Sequence, residues 1–536
     1  MSDVALAPAT VSRPAINAWF VAAAVIVPTF MEVLDTTVAI VALRYIAGDL
    51  SAAVVDAEWV LTSYLAANAT ILPISGWLSA RLGRRNYFLW SIAVFTIAST
   101  LCGMATSLWQ IILFRVIQGL AGGGLQPSSQ AILIDNFPPE KQGTAMTIFG
   151  IAALTAPVVG PTLGGYLSDY HNWRWIFFIN VPIGCLALLM SYFVVKDPDY
   201  LQQERARLRR MPLNFDYIGL ALLALVMSAW EVLITKGQEW DWLGDPFGKV
   251  QTLLLILVLG GVGLVVWEMR RDNPVVNFRP LGERNFWVCC IIIFCAYAEL
   301  YGVSTSLPGL LQSLFGYDAF HSGLVMSPSG FASVTMLLIC GALLGRGVDA
   351  RWLIGGGMLV VAAGGYWMSV MNLEISPWQA IAPRVVTIAG LGMAFAPINV
   401  AAFIYTPRHM RGAAVGLFAL LRNEGGSFGT SMAQTLQERR DQFHTWRVGE
   451  SLDPFNPTVS SYLQWAQGFF FQQTGDAPLA QRMALQRLAD LRSQQAASLA
   501  YFDVFLVFAV LAVALAFLVL LMKRSVAEKG AHVGAE

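Results

Sequence analysis

Met31-Glu32-Val33-Leu34-Asp35-Thr36-Thr37 places two carboxyl groups inside a long apolar run, and Gly76-Trp77-Leu78-Ser79-Ala80-Arg81-Leu82-Gly83-Arg84-Arg85 closes the next run with three arginines and two glycines. A helix needs about 20 apolar residues to cross the hydrocarbon core of a bilayer. An acid in the middle of such a helix costs about 2.5–3.5 kcal/mol on insertion scales, so it faces a cavity or a partner. A basic hinge between two apolar helices marks the cytoplasmic side. The two pieces together decide the fold class: an all-α integral membrane protein whose spans carry functional charges.

Composition agrees. The 536 residues are 56% hydrophobic and 13% charged, with a mean hydropathy of +0.59, whereas soluble domains carry about 25% charged residues. The formal net charge is zero, which gives no basic excess for a nucleic-acid partner. The six cysteines (Cys102, Cys185, Cys289, Cys290, Cys295, Cys340) all fall in apolar runs, without the spacing of a disulfide framework or a zinc site. The apolar run after the short polar N-terminus is too long for a signal-peptide core and is read as the first span.

Working outward, apolar runs give about fourteen spans, at 16–43, 57–80, 86–106, 108–135, 143–168, 173–195, 214–236, 250–269, 285–314, 320–345, 351–372, 378–405, 411–436 and 499–522. Alternate gaps hold Arg81, Arg84 and Arg85; Lys141; Lys196, Arg205, Arg207, Arg209 and Arg210; Arg270, Arg271, Arg279 and Arg284; Arg346 and Arg351; and Arg408 and Arg411. Lys523 and Arg524 follow the last run. The other gaps carry acids, among them Asp49, Asp56, Glu58, Asp169 and Asp318. The basic gaps and both termini are therefore expected on the cytoplasmic side of the membrane.

Gly341-Ala342-Leu343-Leu344-Gly345-Arg346, before Asp349 and Arg351, echoes the Gly76–Arg85 hinge. Each hinge lies between the second and third span of a six-span group, so the chain reads as two related halves, a common transporter plan. The expected parts are a cytoplasmic tail at 1–15, an N-terminal six-helix bundle at 16–195, a linker at 196–213, and two extra central helices at 214–269. A C-terminal bundle at 285–522, with a long outer loop at 437–498, and a cytoplasmic tail at 523–536 complete it. Leu485, Leu488 and Leu491 have helical spacing within that loop, and a loop of this length is usually functional or disordered.

Glu32 and Asp35 are three apart and share a helix face. Their functional reading is proton coupling or recognition of a cationic substrate; the plain alternative is hydration near the outer end of the span. In Arg115-Val116-Ile117-Gln118-Gly119 the arginine keeps its charge, so it needs an anion or several acceptors; the plain alternative is a clamp on backbone carbonyls. Gln126 and Gln130 share a face and are candidates to line the pathway. Pro157, Gly160, Pro161, Gly164 and Gly165 lie in one span, where prolines permit bending and small residues permit close packing. Later spans hold Glu231, Glu299, Arg384, Asn399, Arg422, Asn423 and Glu424, of which Glu299 is a further candidate for proton coupling or substrate binding. Arg422 and Glu424, two apart, point to different sides of a regular helix. The chain has no GxxxxGK[ST] phosphate loop, metal-ligand cluster or nucleophile elbow, so neither ATP drive nor a cofactor is expected.

Several motifs resemble the major facilitator superfamily. Gly76, Arg81, Gly83, Arg84 and Arg85 look like its gating loop, Arg115 to Gly119 its fourth-span motif, and Pro157 to Gly165 its antiporter motif. Leu34-Asp35-Thr36-Thr37 resembles the first-span motif of the fourteen-span drug–proton antiporters. Asn172 to Gly184 and Arg422-Asn423 through Ser431 are similar to the EmrB-type branch. The likeness covers nearly the whole chain. It implies the major facilitator fold, export of hydrophobic or amphipathic toxic compounds by alternating access, proton drive, and work with a periplasmic membrane-fusion adaptor and an outer-membrane channel. Ala80 stands where many members carry an aspartate.

The resulting expectation is a proton-driven multidrug efflux permease. A dedicated exporter of a metabolite or siderophore is its rival in the same class. A multi-span enzyme acting on lipids is the rival of another class; the scattered histidines, His171, His321, His409, His444 and His532, argue against it.

Overall fold

The computed structural model describes residues 18–137, 142–197, 202, 205, 216–271, 274–407, 410–453 and 455–526. The N-terminal tail, most of the linker at 196–213 with Arg207, Arg209 and Arg210, Lys141, Arg408, and the tail beyond 526 lie outside the described residues.

Among the described residues every regular element is helical, as hydrocarbon requires of a chain that satisfies its backbone polar groups internally. The N-terminal half comprises α1 (Ala18–Asp49), α2 (Val54–Ala57), α3 (Trp59–Ile71), α4 (Ser75–Leu82), α5 (Arg84–Met104), α6 (Leu108–Gly122), α7 (Leu125–Asn136), α8 (Gln142–Tyr170), α9 (Trp175–Phe178) and α10 (Asn180–Val194). The inserted helices are α11 (Tyr217–Lys236) and α12 (Lys249–Met269). The C-terminal half comprises α13 (Arg284–Leu314), α14 (Ala319–Met326), α15 (Pro328–Gly345), α16 (Ala350–Ser369), α17 (Pro377–Phe403), α18 (Arg411–Glu450), α19 (Pro457–Thr474) and α20 (Ala477–Leu518).

Among the described residues, twelve helical stretches are long and apolar enough to cross a membrane. The two expected spans outside that set are also helical, for identifiable reasons. The run at 57–80 leaves the helix around Pro73, so α3 and α4 are each too short. The run at 411–436 belongs to α18, whose charges lower its hydropathy although it packs between α13 and α20. The arrangement is consistent with fourteen spans. Two other spans are broken in a similar manner: α6 gives way to α7 at Gly123-Gly124, and α14 to α15 at Ser327.

The expected outer loop at 437–498 is corrected by the structure. Helix α18 continues to Glu450, α19 folds back, and α20 runs unbroken from Ala477 into the last span. With 40 residues in α18, the helix is about 60 Å long at 1.5 Å per residue. Asn456 and Asp476 cap α19 and α20 by accepting from the Thr458 and Leu479 amides. The polar sequence marked exposure to water, which is compatible with a helix as well as with a loop.

Helix α8 joins the halves. Gly164 packs on Val38 of α1. On the other side a Cβ at Gly165 would lie 2.5 Å from the Ala319 carbonyl carbon of α14, and the Thr162 and Ser327 hydroxyls meet at 2.9 Å. Gly165→Ala should therefore cost about 1–3 kcal/mol through overpacking and lower the melting temperature of purified protein. A variant as stable as the parent would show that this contact yields freely.

Candidate functional site

A cavity of about 430 Å³ lies between the halves, within the range of small-molecule pockets. Tyr297, Tyr301 and Tyr501 wall it on the C-terminal side, and Val33, Ile40 and Leu65 on the other. Its rim carries Arg44 and Glu438, both exposed. Its floor is made by Glu32, Gln126 and Arg422. The rim is at the end of the molecule from which α18, α19 and α20 project, opposite the described ends of the chain.

The floor is one polar bridge between the halves. Asn68 Nδ2 donates to Glu32 Oε1 at 3.2 Å, and Gln126 Nε2 to Glu32 Oε2 at 2.5 Å. Arg422 Nη2 then donates to Gln126 Oε1. Asn423 Nδ2 reaches Asn68 Oδ1 at 3.3 Å. Local sequence aims these groups: at the Gly123-Gly124 break, a Cβ on Gly124 would strike the Tyr87 side chain, and the break turns α7 so that Gln126 enters the floor. Among the described residues Arg422 Nη1 has no partner although the residue is only 3% exposed, and its guanidinium lies 5.7 Å from the Phe149 and Tyr297 ring centres.

Asp35 is placed elsewhere. It is buried behind the cavity wall, and both its oxygens are engaged. Arg115 Nη1 donates to Oδ2 at 2.5 Å; Gln118 Nε2 and Asn180 Nδ2 donate to Oδ1 at 2.9 and 2.6 Å. Arg115 also donates to the Val60 carbonyl at 3.0 Å and stacks 4.1 Å from the Tyr64 ring centre. The network binds α1 to α3, α6 and α10. Gln130 is buried on α7 and does not line the cavity, and Glu299 faces away from it.

The inserted helix α11 fills the gap between α3 and α18. Lys236 pairs with Glu58 at 3.0 Å, Thr235 lines the cavity, and Ser427 Oγ donates to Glu231 Oε2 at 2.6 Å. Glu424 turns away from Arg422 and lies against Glu231 and Trp230, as two-residue spacing on a helix requires. Spacing gave no sign of this wall, since its partners lie far away in the chain.

At the closed end, Gly83 takes a φ of 89°. Arg84 pairs with Asp135, and the Arg85 amide donates to Asp197 Oδ1 at 2.7 Å. Arg81 stacks 5.6 Å from the Trp77 ring centre, and Gly76 has open space around it. With alanine at position 80, the carboxylates for this loop come from Asp135 in the last turn of α7 and Asp197 just past α10. In the other half, Arg351 pairs with Asp349 at 2.8 Å and the Ser525 amide donates to Asp349 at 3.1 Å. Burial pushes the Asp349 carboxyl up, but these donors outweigh it and hold it below the ordinary range. Asn68, Asn180 and Tyr64 were not singled out for the site; two asparagines inside apolar runs were the available signal.

The sequence profile of the Major Facilitator Superfamily matches residues 25–430. The multidrug export protein EmrB of Escherichia coli is 35% identical over 466 residues, 86% of this chain and 88% of that protein. The fatty acid resistance protein FarB of Neisseria gonorrhoeae is 34% identical over 434 residues, 80% of this chain and 83% of that protein. Among solved structures, a bacterial homologue of the human lysosomal transporter Spinster, inward-facing and unoccupied, superposes with a TM-score of 0.55 at 17% identity, over 94% of this chain and 96% of that one.

Proposed function

The chain belongs to the major facilitator superfamily, and within it we propose a proton-driven multidrug exporter, a transporter rather than an enzyme. The observation that carries this reading is the Glu32–Gln126–Arg422 bridge at the cavity floor. A carboxyl that meets both the cavity and, through one glutamine, a cation of the other half can link proton binding to movement of the halves. The positive-inside rule puts the termini and the Arg84–Arg85 loop in the cytoplasm, so the cavity faces outward. In this conformation a proton reaches Glu32 from the outer side, its hold on Gln126 and Asn68 weakens, and substrate leaves. Return and loss of the proton inside reset the exporter. The geometry favours Glu32 as the proton-exchanging acid, with Asp35 holding Arg115 in place.

Substrates in this reading are hydrophobic or amphipathic compounds. Arg422, buried with a free N–H edge beside aromatic rings, favours organic acids among them, and FarB is named for fatty acid resistance. The protein sits in the inner membrane, and the helical hairpin of α18, α19 and α20 is the surface offered to a membrane-fusion adaptor and outer-membrane channel. Reconstitution in liposomes with an imposed pH gradient, and a panel of hydrophobic anions, cations and neutral compounds, tests the exchange. Substrate-evoked proton movement is expected; transport without it would overturn the proton drive.

A further inference from the structure

Arg115 and Arg384 head the fully buried side chains by size, one in each half. Each lies seven residues after the first residue of its helix, Leu108 of α6 and Pro377 of α17, and each helix begins the fourth span of its half. Each half also places an acid in the interior of its first span, Asp35 in α1 and Glu299 in α13. The repeat extends to the backbone: Gly83 and Gly347, in corresponding hinges, have φ values of 89° and 86°.

The two pairs differ in state. Asp35 and Arg115 are in contact at 2.5 Å. Glu299 and Arg384 face one another without an ion pair. Among the described residues neither Glu299 oxygen has a donor, and Arg384 Nε and Nη1 have no acceptor, while Arg384 Nη2 donates to Ser304 Oγ at 2.6 Å. Both residues are at most 1% exposed. Arg384 is the charge that faces Glu299 from α17. From its own helix the Cys295 thiol lies one turn away, and α18 and α20 present the Gly429 carbonyl and Phe508 nearby, against Gly302. A buried carboxylate with no donor is costly, and a proton on it removes the charge.

We propose that Glu299 and Arg384 are a second proton-linked pair, the C-terminal counterpart of Asp35 and Arg115, held open here with the proton on Glu299. The proposal rests on the proton-exchange reading above and extends it to a site outside the cavity. When Arg384 swings onto Glu299, the carboxyl O–H bond breaks and the proton passes to water. The carboxylate left behind pairs with the arginine, whose own charge is unchanged.

Infrared spectra of the purified full-length protein test this. Wild type should show a protonated-carboxyl C=O band that Glu299→Gln removes, with the melting temperature kept at the wild-type value and fewer protons moved per substrate in liposomes. An unchanged band, or a loss of melting temperature like that of Asp35→Asn, would mean an ionised Glu299 and overturn the proposal. Glu299→Asp keeps the acid and should shift the band; an unshifted band there overturns the proposal even if the glutamine variant does not accumulate. Absence of substrate-evoked proton movement in wild type would instead sink the exchange reading, while the band still decides the pair.

Discussion

Asp35→Asn is expected to lose about 3–5 kcal/mol of stability, the usual cost of stranding one member of a buried ion pair. Three donors converge on Asp35: Arg115 on one oxygen, Gln118 and Asn180 on the other. An asparagine offers one oxygen, so in either orientation its amide nitrogen faces a donor. Arg115 would remain charged and shut off from solvent. Asp35→Asn/Arg115→Gln should recover part of the loss, because it removes the unpaired charge as well as its partner. Thermal unfolding of purified protein in detergent measures both. If Asp35→Asn melts with wild type, Arg115 is satisfied without Asp35 and its clamp on the Val60 carbonyl suffices. Loss of transport in this variant does not by itself identify a proton carrier, since a loosened α1 stops transport as well.

Much of the architecture was legible because hydrocarbon leaves so few options. Apolar runs of about 20 residues can only be helices there, and the Gly76–Arg85 and Gly341–Arg346 hinges exposed the two halves. Run length says nothing about breaks inside a span, so the kink at Pro73 and the turn at Gly123-Gly124 were invisible as geometry even though their residues suggested bending. The segment at 437–498 reads as a long connection between spans, and its polarity does not tell a loop from a water-exposed helix; the spacing of Leu485, Leu488 and Leu491 was the sign of the helices found there. At the site, three-residue spacing put Glu32 and Asp35 on one face. It could not say which acid meets the cavity. That depends on Asn68, Gln126 and Arg422 on one side and on Arg115, Gln118 and Asn180 on the other, groups brought to α1 from five other helices.

Glu32→Gln should separate the proton from the substrate. The substitution keeps the shape and leaves no buried cation stranded in contact, since Arg422 reaches Glu32 only through Gln126. Its stability should therefore fall less than that of Asp35→Asn, which strands a buried cation. What is lost is the charge that holds Asn68 and Gln126. A hydrogen bond to a charged group contributes about 1.5–3 kcal/mol, so the balance between latched and released floors should shift by roughly 10- to 150-fold. Substrate-driven proton movement in liposomes is expected to fall by about that factor, while substrate binding in detergent persists, because the tyrosine and aliphatic walls are untouched. Arg422→Gln, which removes the cation at the other end of the bridge, should weaken binding of anionic compounds more than of neutral ones. A Glu32→Gln protein that exchanges protons for substrate at the wild-type rate would remove Glu32 from the coupling. The Asp35–Arg115 pair would then be the buried ion pair left in the N-terminal half among the described residues, and its contact would have to open during the cycle.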